Sequence, residues 1–192
     1  YIEANQDQAI IHMDTVEGNK GGSVLFTITF TSSLFMLAFI RERNTAQSVI
    51  DIFNDLYSVL GHEDFSKLFQ VTLVDNGTEF SNPLALEFND EKTRRTKIFY
   101  CDPRSPQQRG RGEKNHEFIR RFSPKGQSLD HLTQEDIELM VHNINSYARS
   151  LLGDKPPHEV FRFLHGQDIL DKLEAILVPP NEIILNPSLF IK

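Results

Sequence analysis

The chain has 192 residues, with 20 lysines and arginines against 27 aspartates and glutamates, for a formal charge of −7. This length suits one domain with peripheral elements, and the ordinary apolar share of 39% supports a packed core. A single cysteine, Cys101, excludes a disulfide framework and a cysteine-rich zinc site, and no apolar run is long enough to span a bilayer. A cytoplasmic protein is expected. The start at Tyr1, not Met, fits a fragment of a longer one.

Residues 9–16 read as a strand, 17–22 as a Gly- and Asn-rich turn, and 23–30 and 34–40 as two further strands. The short connections predict an antiparallel meander. Val49, Ile50, Phe53, Leu56, Tyr57 and Leu60 follow helical spacing over 45–60, with Gly61 as the expected stop. Residues 69–74 form a fourth strand, closed by the Asp75-Asn76-Gly77 turn. The crossover helix before it implies pairing parallel to the first strand. A short helix over 82–88, a fifth strand over 98–101 and a helix over 106–122 follow. The last has Pro106 at its first position and Ser105 and Gln108 at capping-box spacing. Helices are expected over 134–152 (capped by Thr133 and Asp136), 157–164 and 167–177. The apolar, proline-broken stretch 178–192 reads as an extended arm docked on a protein surface. The expected domains are a core over 1–164 and a C-terminal helix and arm over 165–192. This element order predicts an α/β ribonuclease-H-like fold: a five-stranded mixed sheet, three strands antiparallel and two parallel, flanked by helices.

Charge is uneven. Residues 92–125 hold eleven bases and three acids, net +8, while the remainder carries −15. A basic segment on an acidic chain points to a local polyanion site, with Arg104, Arg109, Arg111, Lys114, Arg120, Arg121 and Lys125 as candidate DNA contacts. Sites in α/β sheets form at the carboxyl ends of central strands. Asp14 on the first strand and Asp75 at the end of the fourth should therefore meet, with Glu113 brought over them by the following helix. Taken singly, each acid has an ordinary reading as a turn former or a surface charge. Together, three carboxylates repel unless a cation offsets them. Oxygen-only ligation favours Mg²⁺ or Mn²⁺, and a pair of such ions can clamp an in-line phosphoryl displacement. Asp14, Asp75 and Glu113 are thus the candidate catalytic and metal-binding residues.

Three blocks, H-M-D-T-V-E-G, T-L-V-D-N-G-T-E-F-S and F-Y-C-D-P-R-S-P-Q-Q-R-G-R-G-E-K-N, resemble the catalytic blocks of DDE transposases, most closely the insertion-sequence-thirty family of bacterial mobile elements. The resemblance extends through I-R-R-F-S-P-K-G to Phe161. It implies a ribonuclease-H-like integrase core that uses Mg²⁺ to cut DNA at element ends and join it to a target, with Asp14, Asp75 and Glu113 on the family's three acids. It further implies a bacterial, nucleoid-associated protein that acts on DNA as a homo-oligomer. The family's upstream helix-turn-helix is not in this chain. The 38-position interval from Asp75 to Glu113 fits the class. Ile11 and Gln107 stand where the family usually has Trp, and Gly112 and His116 where it usually has Asn. His116 reads as a surface histidine, and Glu79 and Glu117 as acids beside the three but not among them. The alternatives are a nuclease of this fold that only hydrolyses, and a catalytically silent DNA-binding module.

Overall fold

The computed structural model describes residues 8–102 and 110–191; the side chains of 110–113 lie outside the described set. Strands β1 (Ile10–Glu17), β2 (Val24–Phe30) and β3 (Phe35–Arg41) form the meander. Helix α1 (Ala46–Leu68) crosses to β4 (Val71–Val74), and α2 (Pro83–Glu87) leads to β5 (Lys97–Tyr100). Then follow α3 (Gly110–Phe122), α4 (Gln134–Ser146), α5 (Pro157–His165) and α6 (Gln167–Lys172). The sheet order is β3-β2-β1-β4-β5. β1 pairs antiparallel with β2 and parallel with β4, so the expected mixed sheet is the one observed.

Every residue of β2 is buried, because helices cover both faces of the sheet. On one face Met13, Phe26, Ile28, Phe35 and Leu37 pack with Val49, Phe53 and Phe65 of α1 and Phe161 of α5. Rings dominate there: Phe65 stacks on Phe69 at 4.2 Å and Phe161 on Phe35 at 4.4 Å between centroids. Truncating a fully buried ring such as Phe161 to Ala would cost about 3–5 kcal/mol. On the other face Val16, Leu25, Met36 and Ala38 meet Phe118, Ile119 and Phe122 of α3 and Ile137, Met140 and Ile144 of α4.

Helix α4 also reaches the outer edge of β3. Asn145 Oδ1 accepts the Met36 N–H at 3.0 Å while its Nδ2 donates to the Met36 carbonyl at 2.8 Å. Gln134 Oε1 accepts the Ile40 N–H at 3.0 Å and its Nε2 donates to the Ala38 carbonyl at 3.2 Å. At β5, Glu87 Oε1 accepts the Ile98 N–H at 2.8 Å.

One expected boundary holds and two move. Gly61 (φ 78°, ψ 163°) leaves helical geometry and closes the first stretch of α1 as expected; a second helical stretch then runs to Leu68 and buries Phe65 and Leu68. Helix α4 keeps its Thr133–Asp136 capping box but stops at Ser146, and Arg149 and Lys155 form an isolated bridge beyond it. Helix α6 ends at Lys172, with Glu174 at φ 52°. The arm docks on its own chain. Val178 and Ile184 donate N–H groups to Ser146 Oγ and Asn143 Oδ1, both at 2.8 Å, and Phe190 meets Phe122 at 5.8 Å between centroids. The expected start of α3 at Pro106 and its Ser105–Gln108 cap lie outside the described residues.

Candidate active site

The parallel register pairs His12 with Leu73. Continued by two residues, it brings Asp14, inside β1, level with Asp75, just past the carboxyl end of β4. Alternation along β1 turns Asp14, like Thr27 opposite it on β2, toward the face covered by α3. Each aspartate has one oxygen fixed by a nearby N–H. Thr15 N–H donates to Asp14 Oδ1 at 2.8 Å, and Gly77 N–H to Asp75 Oδ1 at 2.9 Å. Both carboxylates are half-buried.

Helix α3 reaches this point through His116. Its Nδ1 lies 3.8 Å from Asp14 Oδ2 and its Nε2 lies 3.2 Å from Thr27 Oγ1, which itself donates to the Asp14 carbonyl. With only 22% of its side chain exposed, His116 is not the surface histidine expected. The next inward residue, Asn115, is fully buried and ties α3 to the sheet. Its Nδ2 donates to the Leu34 carbonyl at 3.0 Å and to Thr29 Oγ1 at 3.3 Å. Glu113 belongs to the same helix, two residues before Asn115; its side chain lies outside the described set. Among the described residues no three metal-ligating side chains cluster. The two aspartates still fit a hard divalent cation, since their donors are all oxygen.

Behind Asp14, on the α1 face, Thr15 joins a ring of hydrogen bonds. Arg41 Nη2 donates to Thr15 Oγ1 at 3.0 Å and to Asn44 Oδ1 at 2.8 Å; the Thr15 and Asn44 side chains in turn donate to Glu79. Both charged ends are buried, Glu79 at 7% exposure and Arg41 at 4%. Burial pushes the Glu79 carboxyl up, but the bonds from Thr15, its own backbone and Asn44, with the Arg41 charge, outweigh it and hold the group below its ordinary value. Burial pulls the Arg41 guanidinium down to about 10, against the pull of Glu79. Gly77 has to be glycine here: a Cβ would lie 2.3 Å from Glu79 Oε2 and 2.8 Å from Asp75 Oδ1. The ring was missed in the sequence, where Glu79 reads as a bystander. Its one signal is an acid directly before Phe80 in a segment short enough to pull both inside.

The transposase InsI of insertion sequence element IS30A from Escherichia coli (strain K12) is 29% identical over 147 residues, 77% of this chain and 36% of that protein. The putative integrase ORF3 of Spiroplasma virus SpV1-R8A2 B is 28% identical over 79% of the chain and 45% of its own length. No family model matches. Among solved structures, the catalytic core domain of BIV integrase superposes with a TM-score of 0.56 at 17% identity, covering 84% of this chain and 98% of that one. The simian T-cell lymphotropic virus intasome, in complex with PP2A regulatory subunit B56 gamma, gives a TM-score of 0.54 at 15% identity, covering 80% and 54%. The chain is similar to insertion-sequence transposases and shares the fold of an integrase catalytic core. It spans about a third of the length of the InsI transposase it matches.

The basic segment of the chain is only partly available to a ligand. Arg95 is a structural cation at 3% exposure, bonded to Asn54 and the Ala85 and Leu86 carbonyls and stacked over Phe53 and Tyr57. Arg94 pairs with Glu87 at 3.3 Å. Arg120 Nη2 donates to the Glu17 carbonyl at 3.0 Å. Lys114 is exposed, 3.6 Å from Glu117; Arg121 is exposed above Phe118; Lys125 is exposed in the turn after α3. Arg104 and Arg109, and the side chain of Arg111, lie outside the described set.

Proposed function

We propose that this chain is the catalytic core of a DNA transposase, cutting strands at the ends of an insertion sequence and joining them to target DNA. The observation that carries the reading is the parallel register of β1 and β4, His12 beside Leu73, which continued by two residues sets Asp14 level with Asp75, under a basic helix, in an integrase-like fold. Asp14, Asp75 and Glu113 would hold two Mg²⁺ or Mn²⁺ ions. When bound, such ions stabilise the negative charge on the attacking and leaving oxygens. The N–H groups of Thr15 and Gly77 orient the two aspartates. Lys114, Arg121 and Lys125, with Arg104, Arg109, Arg111 and Arg120, would hold the phosphate backbone. Residues 1–164 are assigned to the core and 165–192 to a C-terminal helix and arm. The partners are element ends, target DNA and further copies of the chain.

The test is incubation with DNA carrying candidate element ends, with and without Mg²⁺. Cleavage and joining are expected only with metal. Asp14→Asn and Glu113→Gln should abolish both and leave DNA binding intact, since each removes a negative charge near a polyanion. Arg109→Ala with Lys114→Ala should weaken binding and flatten its salt dependence. Cleavage without joining would make the chain a hydrolytic nuclease. Binding with neither reaction would make it a silent module. Either result would overturn the proposal.

A further inference from the structure

The Arg41–Thr15–Asn44–Glu79 ring lies at the same end of the sheet as Asp14 and Asp75, but behind β1. A buried carboxylate and a buried guanidinium are expensive to place and often no better for stability than apolar residues of the same volume. This pair therefore calls for a role besides packing. Its geometry supplies one. Thr15 faces both ways: its side chain belongs to the ring, and its N–H holds Asp14 Oδ1. Glu79 touches the other aspartate's support, because its Oε2 packs against the backbone of Gly77, whose N–H holds Asp75 Oδ1. The Gly77 carbonyl also accepts the Phe80 N–H at 3.0 Å, so the turn carrying Glu79 closes back on Gly77. One carboxylate thus braces both N–H donors.

We infer that Glu79 and Arg41 are positioning residues: through Thr15, Asn44 and Gly77 they fix the separation and orientation of Asp14 and Asp75. The inference rests on those aspartates being the metal ligands. A metal site tolerates about 0.5 Å of misplacement, so loosening either N–H donor should weaken metal binding before it unfolds the chain.

The experiment reads metal binding by the protein alone, without DNA, as the Mn²⁺ or Mg²⁺ concentration giving half the maximal thermal stabilisation. Thr15→Val keeps the N–H but removes the hydroxyl, Thr15→Ser restores it, and Glu79→Gln keeps shape without charge. Thr15→Val and Glu79→Gln should each raise the half-saturating concentration about tenfold, in the range found for groups that orient ligands. Thr15→Ser should stay within about twofold of the wild type. Wild-type half-saturation in Thr15→Val or in Glu79→Gln overturns the inference and leaves the metal reading standing, as does a lowered melting temperature with an unmoved metal midpoint. If Glu79→Gln fails to fold, the Thr15→Val and Thr15→Ser pair decides alone. A wild type that ignores metal, as Asp14→Asn should, overturns the metal reading instead.

Discussion

Two buried arginines sit on opposite faces of the sheet and solve one problem differently. Arg41 is 4% exposed and Arg149 7%; burial pulls each guanidinium down to about 10. Both lie over a phenylalanine, Arg41 at 5.3 Å from Phe26 and Arg149 at 3.6 Å from Phe118, and both have a buried Nε with no hydrogen-bond partner among the described residues. Arg41 faces a carboxylate, Glu79, across two bridging side chains. Arg149 has none among the described residues; it donates to Asn115 Oδ1 and the Ile144 carbonyl and otherwise relies on the ring beneath it. A charge can be kept inside by a counter-charge or by dipoles and a π face. Only the first arrangement leaves a second charge stranded when the arginine is removed.

The largest expected effect follows from that asymmetry. Arg41→Met should destabilise the chain by about 3–5 kcal/mol in urea unfolding, because it leaves Glu79 buried without its cation, whereas Arg149→Met should stay within about 2 kcal/mol of the wild type. Equal losses would break the comparison. Next in size, Arg41→Met combined with Glu79→Gln should be less damaging than the sum of the two by about 1–3 kcal/mol. Strict additivity would mean that Thr15 and Asn44 insulate the charges from each other.

The pH axis sharpens the contrast. The Glu79 carboxyl is held below its ordinary value in the folded chain. Its contribution is therefore complete above the unfolded value, about 4.3, and is lost as pH falls through the folded one. Acid unfolding below about pH 4.3 should be less steep in Glu79→Gln than in the wild type, and as steep as wild type in Arg149→Met; identical profiles for all three would remove Glu79 from the account. The smallest effect concerns Asn115→Asp. It gives Arg149 a counter-charge but forfeits donation to the Leu34 carbonyl and Thr29. A net change within about 1 kcal/mol is expected, together with a favourable coupling to Arg149 in a double-mutant cycle.

Much of the scaffold could be read before the structure, because local rules and topology agreed. The meander followed from short turns, and the parallel pairing of β1 with β4 followed from one crossover helix. Those two facts bring Asp14 level with Asp75. Helix ends were less legible. Gly61 carries the usual stop signal and obeys it, but no local signal announces the second helical stretch that follows and carries Phe65 and Leu68 into the core. The Arg41–Glu79 ring was not legible at all. It joins residues from β1, β3, the turn before α1 and the turn after β4, and no spacing in the chain announces that four polar side chains will be taken inside together. His116 was misjudged for a related reason: helix periodicity gives its face, but not that Asp14 and Thr27 lie against that face.

The side-chain amides along β3 have a consequence for how copies of this chain can meet. Backbone groups at the margin of a sheet are a template on which another extended segment can assemble. Along β3, Met36 N–H, Met36 C=O, Ala38 C=O and Ile40 N–H are already taken by Asn145 and Gln134. At β5 the Ile98 N–H is taken by Glu87. Growth of a continuous intermolecular sheet through β3 would first require α4 to let go. Contact between copies is thereby directed to helix faces and loops, and runaway fibrous stacking is opposed by two amide side chains on one helix.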